Sequence, residues 1–95
     1  MNYEVKQEES TSKGSFFIEQ EGSRVGEIAY SKAGSDLIII ADTMIDDTLR
    51  GTGAGQQLVL KAVDWAREKN IKIIPLCPFA NSVFQKNPEL HDVLK

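Results

Sequence analysis

Gly51, Gly53 and Gly55 stand at alternate positions behind Arg50, in the run Leu49-Arg50-Gly51-Thr52-Gly53-Ala54-Gly55, a spacing that suits the capture of an anion. Glycine lets backbone N–H groups approach a ligand closely. A helix opening at the end of the run would add its unpaired first-turn donors and the positive end of its dipole. A phosphate is the natural guest, and the Arg50 guanidinium supplies a charged donor. Two familiar phosphate loops do not fit. A Walker loop ends in Gly-Lys-Ser/Thr, whereas Gln56-Gln57 follow the last glycine here, so the lysine and the magnesium-binding hydroxyl are missing. A dinucleotide fingerprint is spaced Gly-x-Gly-x-x-Gly near the start of a parallel sheet, and this run is spaced Gly-x-Gly-x-Gly behind several strand-like segments. The plain alternative is a tight strand-to-helix turn with no ligand. No cysteine or histidine pair has metal-ligand spacing and His91 lies far along the chain, so no metal site is expected.

The elements that must position this loop can be read on either side of it. Tyr3 to Lys6 has strand character, the polar stretch from Gln7 to Gly14 reads as a loop, and Phe16-Phe17-Ile18 marks a second strand. Turn chemistry at Glu21-Gly22-Ser23 and at Lys32-Ala33-Gly34-Ser35 brackets a third strand, Val25 to Tyr30, and favours an antiparallel meander. Leu37-Ile38-Ile39-Ile40-Ala41 lacks alternation, which predicts a fourth strand covered on both faces. After the glycines, Leu58, Val59, Ala62, Val63 and Ala66 recur at helical spacing, predicting one helix from about Gly53 to Lys69. Trp65 lies beside that stripe as a packing residue. Ile71 to Ile74 reads as a fifth strand ending at Pro75, and the intervening helix makes it parallel to the fourth. A second helix over Phe79 to Lys86 stops at Asn87-Pro88, and Glu89 to Leu94 forms a short helical tail.

Composition narrows the classes. A chain of 95 residues, 41% hydrophobic and 26% charged, fits one folded α+β domain over 1–95. The net charge of -3 and the lack of a basic stripe argue against nucleic acid. The longest apolar run, Leu37 to Ala41, is far short of a membrane span, and Met1-Asn2-Tyr3-Glu4 shows no secretory signal. A lone cysteine agrees with a reducing, cytoplasmic setting. The acidic residues Glu4, Glu8 and Glu9 read as a solvated edge, and a monomer is expected.

The pattern Arg50-Gly51-Thr52-Gly53-Ala54-Gly55 between a strand and a helix resembles the acetyl-coenzyme-A loop of the GNAT superfamily of N-acetyltransferases. The resemblance covers Val25 to Asn87. It includes the approach Asp46-Asp47-Thr48-Leu49, and the segments Lys72-Ile73-Ile74-Pro75-Leu76-Cys77-Pro78-Phe79 and Asn87-Pro88-Glu89 look like a compact subfamily of small GNAT-like proteins. What it implies is a GNAT-like fold, with antiparallel strands one to four, a parallel fifth, helices packed on the sheet and shortened acceptor-side helices. It also implies acetyl-CoA as ligand, with the pyrophosphate on the amides of Arg50, Gly51, Thr52, Gly53, Ala54, Gly55 and Gln56. The pantetheine arm would then meet backbone groups of Met44 and Ile45, where the fourth strand splays from the fifth. Cys77 and Pro78 would lie across that splay, Asn81 would stand beside the arm, and Phe84 would pack on the cofactor. Asn81 as a helix cap and Phe84 as core are equally open readings.

The same resemblance places Cys77 near the thioester, where a thiolate would accept an acyl group. Its apolar neighbours Leu76, Pro78 and Phe79 are expected to raise its pKa. Amine acetylation also needs a base and an acid for the departing thiolate. Asp42 stands where related small proteins often carry a histidine, and it and Glu27 are the nearby candidates for the base and for an acceptor-binding carboxylate, with an ordinary solvated carboxylate as the alternative for each. No tyrosine occupies the stretch from Phe84 to Lys86 where larger relatives place the acid. Two functions fit: an N-acetyltransferase acting on an exposed amine of a small molecule or protein lysine, and an acetyl-CoA-binding module with little transfer of its own. A partner-binding domain keeping the loop for structure is the third.

Overall fold

In a computed structural model, which describes residues 3–95, the chain forms one mixed five-stranded sheet in the order β1-β2-β3-β4-β5. The strands are β1 Lys6–Glu9, β2 Lys13–Gln20, β3 Ser23–Lys32, β4 Leu37–Ile45 and β5 Lys72–Pro75. The first four pair antiparallel, and β5 adds parallel to β4. Glu21 and Gly22, both with positive φ, make the tight turn between β2 and β3, the left-handed pair that matches the twist of a two-residue hairpin. Helices α1 Ala54–Lys69 and α2 Pro78–Lys86 follow β4 and β5, and 3-10 turns cover Asp47–Leu49 and Pro88–Val93.

The first strand differs from the sequence expectation. Pairing runs from Lys6 opposite Phe17 to Glu9 opposite Gly14, so that the strand shares only Lys6 with the expected one and Gln7 to Glu9 fall in the stretch read as a loop. Its residues are all exposed, so periodicity carried no signal; main-chain pairing and charges on β2 and β3 hold it. Lys6 pairs with Glu19 at 2.9 Å, Glu8 with Arg24 at 2.8 Å and Glu9 with Lys32 at 3.1 Å. Glu8 and Glu9 are therefore ion-paired rather than merely solvated. Tyr3 and Val5, the apolar residues that suggested a strand, pack against the core instead, and the Tyr3 N–H donates to the Gln57 side-chain oxygen on α1 at 2.8 Å.

A single apolar cluster joins one face of the sheet to both helices. Ile18, Ile28, Ile38, Ile40 and Ile73 supply the sheet side, while Leu58, Val63, Ala80 and Phe84 supply the helical side. Trp65 packs edge-on against Phe16 with ring centroids 5.7 Å apart. The opposite face has no helix. Phe17 points that way and stays dry beneath the Arg24 guanidinium, 3.8 Å from the ring centroid. Consequently β4 is not covered on both sides: Ile38 and Ile40 are buried, whereas Leu37 and Ile39 are half-buried and Ala41 is exposed.

Two irregularities open the sheet beside α1. Ala29 pairs with Asp42 and Tyr30 with Ile40, which leaves Ala41 as a bulge and carries β4 on to Ile45. The β4–β5 pairing ends at Ile40 opposite Pro75, and the amides of Leu76 and Cys77 then converge on the Ile40 carbonyl at 3.0 and 3.1 Å. Past that point the chain turns away into α2. The last residues of β4 therefore keep one edge free.

Candidate functional site

The chain that leaves β4 is pinned before it reaches the glycines. The Asp46 carboxylate accepts from the Thr48 amide and hydroxyl, each at 2.9 Å, which holds it below the usual carboxylate range. Leu49 then anchors the turn in the core, and the Thr52 hydroxyl donates back to the Leu49 carbonyl at 2.6 Å. Thr52 therefore braces the loop from within, while Gly51 and Gly53 face outward.

The glycines do not share one reason for being glycine. Gly51 and Gly53 have φ of 78° and 83°, in the left-handed region, and a Cβ at either would meet nothing within 4 Å. Their backbone is thus bare to an incoming group. Gly53 caps α1 with no side-chain hydrogen bond, and the amides of Gly51, Gly53, Ala54, Gly55 and Gln56 donate to no backbone acceptor among the described residues. That is the donor set an anion needs. Gly55 has an ordinary helical φ, but a Cβ there would lie 2.5 Å from the Phe79 ring. A Gly53→Val replacement would strain the left-handed cap as well as block the approach of phosphate, and so is expected to weaken the fold too.

A cleft of about 650 Å³ runs beside this turn. The loop and first turn of α1, from Leu49 to Gln56, form one wall; the end of β4, with Thr43 and Ile45, forms the floor. The second wall is Pro78, Phe79, Ser82, Val83, Lys86 and Asn87. These positions step around α2 at helical spacing, so one stripe of the helix faces the cleft. Asn81 and Phe84 lie off that stripe. Asn81 is exposed, and its amide closes the first turn of α2 on the Cys77 carbonyl at 2.9 Å. Phe84 is fully buried in the core and is a packing residue. Met44 is 43% exposed opposite Glu27, one position out of phase with Thr43 and Ile45, so its side chain does not line the cleft. Ser82, Val83, Lys86 and Asn87 escaped sequence reasoning, although counting helical phase from Phe79 would have found them.

No carboxylate lines the cleft. Its cations are Arg50, which pairs with Asp47 at 2.9 Å on the exposed rim, and Lys86, which has no acidic partner among the described residues. In a chain of net charge -3 this is a local reversal of sign.

Where β4 and α2 meet, Cys77 caps α2 with Pro78 in its first turn, and Cys77 Sγ lies 2.9 Å from the Thr43 hydroxyl. Burial pushes the thiol up, as does the charge of Asp42. The Thr43 hydroxyl and the first-turn amides of Ala80 and Phe79 outweigh both, so Cys77 lies below the ordinary thiol value. The sequence expectation of a raised pKa is overturned, because the largest lowering contribution comes from Thr43, 34 residues away in the chain. A depressed pKa adds stability that is full above the unfolded thiol's pKa and lost as pH falls through the folded one. Replacing Thr43 by valine removes a donor to the thiolate, so the alkylation profile of Cys77 is expected to shift to higher pH and its rate near neutrality to fall. Rates measured against pH check this.

Asp42 is exposed beside the bulge, on the side of β4 away from the cleft, and has no ion-pair partner among the described residues. Glu27 is tied to Arg24 at 2.8 Å. The structure therefore brings together Ile45, Arg50, Gly51, Gly53, Ala54, Gly55, Gln56, Cys77 and Pro78, and leaves Asp42, Met44, Thr52, Asn81 and Phe84 off the lining.

Comparison with known proteins places this arrangement. The GCN5-related N-acetyl-transferase family model matches residues 15–93. The solution structure of a GCN5-like protein from Staphylococcus aureus is 36% identical with a TM-score of 0.77, covering 99% of this chain and 89% of that one. Tetrahymena GCN5 is 20% identical with a TM-score of 0.67, over 81% of this chain and 51% of that one, and shares the fold. So does a protein from Bacillus anthracis assigned as a streptothricin acetyltransferase and crystallised with acetyl coenzyme A, at 22% identity and a TM-score of 0.60, over 81% of this chain and 47% of that one. No curated protein sequence shows a significant match.

Proposed function

This chain belongs to the GCN5-related N-acetyltransferase family, and on that premise we propose that it binds acetyl-CoA in the cleft between α1 and α2 and passes the acetyl group to an amine. The observation that carries this reading is the cleft itself, where bare first-turn amides and the cations Arg50 and Lys86, with no carboxylate among the lining residues, share one lining with the Cys77–Thr43 pair. Its size suits a cofactor-length ligand. The open glycines admit phosphate oxygens without steric cost, and the free edge of β4 at Thr43 to Ile45 offers main-chain groups to an amide-bearing arm. Bound acetyl-CoA supplies a thioester-activated acetyl group.

The chain's own residues divide the remaining work. The amides of Gly51, Gly53, Ala54, Gly55 and Gln56 hold the phosphates, with Arg50 and Lys86 adding charge at the rim. Cys77, whose pKa Thr43 and the head of α2 hold below the ordinary thiol value, is the nucleophile within the cleft that can take the acetyl group. Asp42 is the unpaired carboxylate whose charge reaches Cys77, and it holds the acceptor's ammonium on the open side. That side is bare, because β1 and β2 are joined by Ser10 to Ser12 with no helix between them.

An amide NMR titration with acetyl-CoA tests the reading. Shifts are expected at Ile45, at Arg50 to Gln56 and on the 79-82-83-86 stripe of α2; unchanged signals there would reject it. By calorimetry, Arg50→Ala and Lys86→Ala should each weaken binding about fivefold and flatten its salt dependence, since each removes about 1 kcal/mol of screened attraction.

A further inference from the structure

We infer that Phe79 is the wall that sets the width of the cleft for the arm of the ligand, and that Gly55 is glycine to seat this ring rather than to approach phosphate. The inference rests on the acetyl-CoA reading for its ligand and on geometry for the pair. Gly55 needs no special backbone conformation, and a Cβ on it would meet three atoms of the Phe79 ring, at 2.5, 2.8 and 3.3 Å. No other residue is among those nearest atoms. The ring belongs to the first turn of α2, directly after Cys77 and Pro78, yet its tip rests on the first turn of α1. It thus spans the two walls of the cleft. Although it touches α1 this closely, Phe79 remains 38% exposed and lines the cleft, so part of the ring is open to a ligand lying there.

Phe79 follows the Cys77 thiol by two residues, its ring tip rests on Gly55 at the head of α1, and all three line the same cleft. A ligand with only a nucleotide and phosphates meets the amides of the turn and gains little from Phe79. A ligand whose arm continues toward Cys77 must pass along the ring and buries its exposed face. Phe79 therefore favours a phosphorylated ligand carrying an amide-linked arm over a bare nucleotide diphosphate. Gly55 acts through Phe79 as a positioning residue.

The test is a double-mutant cycle of Gly55→Ala and Phe79→Ala, read by calorimetry with coenzyme A and with ADP, and by thermal unfolding without ligand. Phe79→Ala should weaken coenzyme A about tenfold and leave ADP within about twofold. Gly55→Ala alone should do likewise and lower Tm, because the methyl group expels the ring. Added to the Phe79→Ala variant, its sign should reverse: Tm rises, since alanine is the better helix former and the space is now empty, and coenzyme A affinity changes less than about twofold. If Gly55→Ala lowers Tm in both backgrounds, or weakens ADP as much as coenzyme A, the glycine serves the phosphate turn and the inference fails. If the wild type binds neither ligand, the acetyl-CoA reading falls and takes the wall role with it, while the sign reversal in Tm still decides whether Gly55 is the seat of the ring.

Discussion

Replacing Phe84 by alanine is expected to cost about 3–5 kcal/mol of folding stability, the range for emptying a buried aromatic site. The ring is fully buried in the cluster that joins the sheet to both helices. A domain of this size has only about 5–15 kcal/mol in total, so the variant should melt at least about 10 °C lower or fail to fold. Phe84→Leu keeps most of the volume and should cost far less. Because Phe84 lies off the stripe that faces the cleft, the leucine variant should bind acetyl-CoA within about twofold of the wild type. Thermal unfolding and calorimetry on the same preparations decide the matter. A stable leucine variant that had lost about tenfold in affinity would put the ring on the ligand.

The contrast between Phe84 and Phe79 shows what a sequence yields and what it withholds. The glycine loop, the stripe from Leu58 to Ala66, the parallel β5 and the position of Cys77 at the splay were legible, because each depends on local spacing or on a short motif. The phase of α2 was legible in principle, since Phe79, Ser82, Val83 and Lys86 follow helical steps, but a helix of nine residues between prolines offers little periodicity to anchor it. What could not be read was set by partners distant in sequence. The edge strand Lys6–Glu9 has no apolar face of its own and exists because β2 offers it main-chain groups. The bulge at Ala41 puts Thr43 on the face that meets Cys77, and no residue type at position 41 announces it. Gly55 looks like its neighbours Gly51 and Gly53 in the sequence, yet it answers to a ring on another helix.

That same long-range assembly decides the chemistry of Cys77, and the second prediction follows from it. Incubated with acetyl-CoA, the wild-type protein should gain one acetyl group on Cys77, detected by mass spectrometry of the peptide that carries it. In that step the thiolate would attack the thioester carbonyl, a carbon–sulfur bond would form to Cys77 as the carbonyl's bond to the coenzyme A sulfur breaks, and the departing thiolate would take up a proton. One thioester replaces another, so no external energy is required. The step needs the nucleophile ionised, and the Thr43 hydroxyl and the head of α2 hold the pKa below the ordinary thiol value despite burial. Cys77→Ala should abolish the adduct and lower amine acetylation by about a hundredfold or more, while coenzyme A affinity changes by less than about threefold, since the phosphates and the arm are held elsewhere. Thr43→Val should keep the adduct but form it more slowly near neutral pH, with the rate recovering as pH rises. If Cys77→Ala acetylates amines at the wild-type rate, transfer runs directly from acetyl-CoA to the acceptor and Cys77 only shapes the cleft. If Thr43→Val leaves both the pH profile and the rate unchanged, the 2.9 Å contact does not tune the thiol.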